Sequence, residues 1–212
     1  MFPKWTNKAV KIGLLFFALA GAGVAGAAGL VHQPSFTDVG YSPEQPVPFS
    51  HKLHAGDMGM DCRFCHTSVE QSAVSSVPPT QTCMVCHTRV RTDSKLLLPV
   101  RESFASGKPV EWVKIHKLPD FAYFNHKAHV SSGVSCVSCH GRVDQMQEVA
   151  QVQPLNMSWC LDCHRNPAPN IRPKEFVTKL DWVPPRDPVE IGRELVKANK
   201  INPPVNCGGC HR

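Results

Sequence analysis

The chain has 212 residues, with 19 Pro, 14 Gly and only 8% aromatic side chains. That composition excludes a large conventional hydrophobic core, because turn formers interrupt every long run and apolar bulk is scarce. The net charge of +6, spread without a dense Lys/Arg block, excludes nucleic acid as a partner.

Lys4, Lys8 and Lys11 precede an uncharged run over residues 12–31. A helix needs about 20 such residues to cross a bilayer, and this run has that length. The lysines place the N-terminus in the cytoplasm by the positive-inside rule, so the rest of the chain lies on the periplasmic side of a bacterial cytoplasmic membrane. Ala25-Gly26-Ala27 resembles a signal-peptide cleavage site, but the run is longer than a usual signal-peptide core. A retained single-pass anchor over residues 1–32 is therefore expected. Its small residues would let other membrane helices approach closely.

After a linker at 33–48 comes Phe49-Ser50-His51-Lys52-Leu53-His54, then Cys62-Arg63-Phe64-Cys65-His66 and Cys83-Met84-Val85-Cys86-His87. A connector at 88–123 follows. The pattern then repeats as Phe124-Asn125-His126-Lys127-Ala128-His129, Cys136-Val137-Ser138-Cys139-His140 and Cys160-Leu161-Asp162-Cys163-His164. Residues 49–87 and 124–164 thus form two copies of one unit. A C-terminal extension at 165–212 carries Cys207-Gly208-Gly209-Cys210-His211. Within it, Asp187-Pro188-Val189-Glu190 supplies a helix N-cap, a proline in the first turn and an acid at the third position. Ile191, Leu195 and Val196 give that helix an apolar face, and Pro203-Pro204 stops it. Elsewhere short turns near the motifs and long irregular connections are expected.

All 10 cysteines fall in five C-x-x-C-H motifs, the attachment signature of c-type haem. The two thiols form thioethers with the haem vinyl groups, and the adjacent His becomes the proximal iron ligand. Five covalently bound haem c groups are expected, with His66, His87, His140, His164 and His211 as proximal ligands. A zinc ribbon has no need of a His after every pair, and five pairs would leave one without a partner. A disulfide framework would scatter its cysteines. A thioredoxin-like site would need a single pair in a βαβ context. The haems would themselves be the core, wrapped by a thin polypeptide shell of short helices.

Six of the 11 His remain: His32, His51, His54, His116, His126 and His129. Two imidazoles three residues apart leave one helical turn in different directions and can serve two haems. His51 is expected to cap the first haem and His126 the third, with His54 and His129 reaching across to other haems and His116 supplying the fifth distal ligand. His32, at the membrane exit, is a weaker candidate. A Met ligand would raise a haem's reduction potential. Met157 and Met146 lead that alternative, ahead of Met58, Met60 and the motif-bound Met84.

F-x-H-x-x-H ahead of C-x-x-C-H resembles class III and c7-type multihaem cytochromes. Four further stretches resemble the pentahaem cytochrome c subunits of bacterial alternative complex III. They are Tyr41-Ser42-Pro43-Glu44-Gln45-Pro46, Gly107-Lys108-Pro109-Val110-Glu111-Trp112-Val113, His116-Lys117-Leu118-Pro119-Asp120-Phe121, and Met157 to Arg165. The resemblance implies an electron-transfer subunit of a quinol-oxidising complex. It implies polytopic quinol-binding subunits and an iron–sulfur subunit as partners, with a monohaem cytochrome c or another periplasmic acceptor. The alternatives are a free-standing anchored multihaem quinol dehydrogenase and a multihaem reductase. The second needs an open iron, and here every motif ends in His with spare His for all five. No general acid/base cluster stands beside any motif, so an electron carrier is expected rather than an enzyme.

Overall fold

A computed structural model describes residues 3–31 and 37–211. The chain divides into two units, Met1–Val39 and Gly40–Arg212. The first is dominated by helix α1, Trp5–Val31, whose Lys8 and Lys11 lie in its first turns. Its stretch Trp5–Leu30 is long and apolar enough to cross a membrane. At about 1.5 Å per residue it exceeds the roughly 30 Å of a hydrocarbon core. None of its side chains is buried within the protein.

The second unit contains short helices and irregular connections. Among the described residues it has no strand, only an isolated antiparallel bridge between Val134 and Ile171. A π-helical turn at Lys52–Asp57 precedes α2, Cys62–Cys65, and α3, Thr80–His87. Helix α4, Leu98–Ser106, lies in the connector, where the sequence had suggested irregular chain. Pro99 starts it, Gly107 in the left-handed region (φ 72°) ends it, and Val100 and Ser103 are its buried face. Next come α5, His126–Ser131, α6, Cys136–His140, and α7, Met157–Arg165. Helix α8, Pro188–Ala198, starts where Asp187 accepts from the Val189 N–H at 2.9 Å. Its Ile191 is buried, while Leu195 and Val196 are half-buried. Helix α9, Cys207–Cys210, closes the chain.

The buried apolar side chains are small, among them Val47, Val100, Ala168, Ile171, Val177 and Ile191. Gly192 presses so closely on the turn Ala168–Asn170 that a Cβ there would overlap the Ala168 carbonyl oxygen. The two repeat copies exchange contacts. The Lys52 N–H donates to the Met146 carbonyl at 2.9 Å, between the third and fourth motifs. Conversely the His126 and Lys127 N–H groups donate to the carbonyls of Ala73 and Ser72, between the first and second motifs, at 3.0 and 3.1 Å.

Candidate redox centres

Each C-x-x-C-H motif is helical at its cysteines, and four are started by a side-chain cap. Asp61 accepts from the Arg63 N–H at 2.9 Å, Ser135 from Val137 at 3.4 Å, Asn156 from Trp159 at 2.9 Å and Asn206 from Gly209 at 2.9 Å. Such caps satisfy donors that a short helix cannot satisfy itself. Helix α3 has Pro79 at its N-cap and no side-chain cap. The cap signal was readable: a Ser, Asp or Asn stands directly before the first cysteine in three motifs.

The imidazoles are aimed by their Nδ1 atoms. His66 Nδ1 lies 3.1 Å from the Ser76 carbonyl, His87 3.0 Å from Val90, His164 2.7 Å from Pro204 and His211 2.9 Å from Phe121. Three of the four repeat histidines follow the same rule: His54 bonds the Ser50 carbonyl at 2.9 Å, His126 that of Ala73 at 3.0 Å and His129 that of Asn125 at 2.8 Å, whereas the buried Nδ1 of His51 has no hydrogen-bond partner among the described residues. A carbonyl only accepts, so each Nδ1 atom bonded in this way carries the proton and Nε2 keeps a lone pair for a metal. His140 differs, because its Nδ1 meets Nε2 of His116 at 3.3 Å with ring centroids 4.4 Å apart.

Three motif histidines face a repeat histidine. The ring centroids are 6.3 Å apart for His54 and His87, 6.5 Å for His126 and His140, and 6.0 Å for His129 and His164. Two imidazoles on opposite sides of one metal ion, each nitrogen about 2 Å from it, have centroids about 6 Å apart. The interplanar angles are 63°, 6° and 40° respectively. His51 interacts electrostatically with His66 and His54. Phe49 holds the first pair, edge-on to His51 at 4.8 Å and stacked on His54 at 4.4 Å. Phe124 repeats this on His126 and His129 at 4.7 and 4.5 Å.

Burial favours the neutral form of five imidazoles, as ligation requires. It pushes His51 down to about 4, helped by His66 and His54, and His140 down to about 3, helped by His116 and His126. His116, His126 and His129 are lowered mainly by burial too. Among the thiols, Cys62 is lowered by its neighbour Cys136, while others move up. Burial is the leading cause that raises Cys65, Cys83, Cys160 and Cys163, and it pushes Cys139 up to about 11.

The other sequence candidates are placed as follows. Met157, at the start of α7, is 65% exposed, and Met58 is 60% exposed. The Met58 and Met60 N–H groups close the turn after His54 by donating to the Leu53 and His54 carbonyls, both at 3.0 Å. Met84 lies inside α3 and Met146 takes the bond from Lys52. His211 has the Phe121 ring beside it at 5.7 Å. His32 lies outside the described residues. The paired, Nδ1-anchored imidazoles and the motif thiols fit covalently bound haem c.

Residues 122–212 match the family model of cytochrome c7 and related cytochrome c. A stretch of 108 residues is 39% identical to the menaquinone reductase multihaem cytochrome c subunit of Nitratidesulfovibrio vulgaris, covering 50% of each chain. The chain thus spans about half the length of that relative.

Proposed function

From the premise that the chain is a multihaem c7-like cytochrome with one N-terminal helix able to cross a membrane, we propose that it is the electron-transfer subunit of a membrane quinol-linked complex. Haem c supplies one-electron exchange at its iron when bound. The observation that carries the proposal is the facing of imidazoles in pairs about 6 Å apart, because a metal ion held on both sides has no position left for substrate.

In this reading the five motifs hold five haems through Cys62/Cys65, Cys83/Cys86, Cys136/Cys139, Cys160/Cys163 and Cys207/Cys210. His66, His87, His140, His164 and His211 are proximal. His51, His54, His126 and His129 are distal to the first, second, third and fourth motifs. The first of these assignments rests on the repeat and on the interaction of His51 with His66. The fifth distal ligand is His116 or Met157. His116 is engaged with His140, which leaves Met157 free for that role. That favours Met157.

The chain's residues bind and orient; they do not move quinol protons. Residues 12–31 have no ionisable side chain, and a quinol site needs proton-accepting groups at membrane depth. Polytopic partners, as in an alternative complex III type assembly with an iron–sulfur subunit and a monohaem cytochrome, would supply that site. The helix would then hold residues 40–212 at the periplasmic surface.

The test is redox difference spectroscopy with a quinol analogue. The subunit within its membrane complex becomes reduced, and the purified subunit does not, although dithionite reduces both. Rapid quinol oxidation by the purified subunit would overturn the proposal and support a free-standing dehydrogenase. One observation favours a second reading: the relative is named a menaquinone reductase. Electrons would then run from a periplasmic donor towards quinone, and quinone addition would oxidise the pre-reduced complex.

A further inference from the structure

The two histidines of each repeat tie neighbouring motifs together. His54 faces His87 of the second motif while His51, on the same turn, interacts with His66 of the first. His126 faces His140 of the third motif while His129, on the same helix, faces His164 of the fourth. Motifs one and two are therefore neighbours, and so are three and four.

The join between these pairs does not follow the sequence. The first and third motifs meet on the adjacent residues Val177 and Thr178. Ser135 Oγ donates to the Val177 carbonyl at 2.8 Å, and the Cys136 N–H donates to the same oxygen at 3.3 Å. Thr178 Oγ1 donates to Asp61 at 2.9 Å, and Cys62 Sγ lies 3.9 Å from the Thr178 carbonyl. Val177 is only 3% exposed, so this is an interior junction. At the far end, His164 of the fourth motif is anchored on the Pro204 carbonyl at 2.7 Å, and Pro204 packs against Gly209 of the fifth.

We propose that the five haem motifs are strung in the spatial order second, first, third, fourth, fifth, with Val177 and Thr178 as the junction, and that electrons enter and leave at the second and fifth. This deepens the electron-transfer reading and rests on it. One electron taken from a one-electron donor at one end is matched by one given to an oxidised one-electron carrier at the other, and no bond or proton changes hands. The first motif, terminal in sequence, is interior in space. The second motif is an end.

The order is tested by EPR of the low-spin haems in the purified full-length protein and its variants. In Cys62→Ala/Cys65→Ala, which lacks the first haem, the signals of both the second and third haems shift and those of the fourth and fifth stay. In Cys83→Ala/Cys86→Ala, only the first haem's signal shifts. A shift of the third haem in the second variant, with no shift of the third in the first, would establish sequence order and overturn the proposal. If a haem-deficient variant does not fold, His54→Met keeps both thioethers and raises the potential of the second haem. Reducing that haem then lowers the potential of the first and leaves the third unmoved; the reverse outcome overturns the order. None of these readouts involves quinol, so they fail or succeed separately from the quinol test above.

Discussion

At the scale of single residues, the hydrogen bonds at Nδ1 decide what each imidazole can do. Carbonyl acceptors leave Nε2 of His66, His87, His164 and His211 unprotonated and directed away from the backbone. His140 is held by His116 instead, and that bears on the fifth ligand. Met157→Ala is expected to turn one haem high-spin in EPR, while His116→Ala leaves the number of low-spin haems unchanged. The opposite result would assign His116 to the fifth iron. His126→Ala is expected to turn the third haem high-spin, since His140 would lose the ring facing it at 6.5 Å. The sequence made the ligand types legible, because haem attachment fixes the spacing of two thiols and a His. It could not name the carbonyls of Ser76, Val90, Pro204 and Phe121. Backbone acceptors have no residue signature, and two of these lie far along the chain from the histidines they hold.

At the scale of elements, caps and close contacts set stability. The Arg63 side chain beside Asp61 holds its carboxyl down to about 2, from 3.8, with help from Thr178. A depressed carboxylate stabilises the fold above its unfolded pKa, and the contribution is lost as pH falls from about 4 through 2. Asp61→Ala should therefore cost about 1 kcal/mol in urea unfolding at pH 7, the usual value of a lost cap, and much less near pH 2. Asp61→Asn keeps the cap and flattens that pH dependence. Gly192→Ala is expected to cost about 1–3 kcal/mol, because the obstacle is the Ala168 backbone and no rotamer relieves it. Helix α8 was legible from Asp187, Pro188 and its apolar positions, since those signals are local. The need for Gly at 192 was not, because its cause is a turn more than 20 residues earlier in the chain. Helix α4 escaped for a related reason: Val100 and Ser103 are buried by tertiary contact, while their nine-residue segment has too short an apolar pattern to stand out.

At the scale of the whole molecule, the fold class was legible in the sequence: short helices, motif-centred packing and one long N-terminal apolar helix. Intact-mass measurement of the matured chain is expected to show five haem additions. Four would mark one motif as unused. Cell fractionation should place the full-length chain in the membrane pellet, with release into the soluble fraction once residues 1–39 are removed. N-terminal sequencing that begins near residue 28 would instead identify a cleaved leader. What the sequence left hidden at this scale was which motif adjoins which. Both repeats predict internal pairing, but the join at Val177 and Thr178 belongs to a segment with no motif of its own.

The exchange of contacts between the repeats bears on biogenesis. The His126 ring and Ala73 are 53 residues apart in sequence, yet each His-bearing turn rests on the other repeat's loop. Neither half can reach its final form before the other is present. A chain emerging N-terminus first would therefore keep its early thiols accessible until the later segment arrives. That delay is a window for the attachment machinery, which must reach cysteines that the finished fold partly encloses. Folding is in this sense a timer: contacts of long sequence separation postpone closure until both repeats are present.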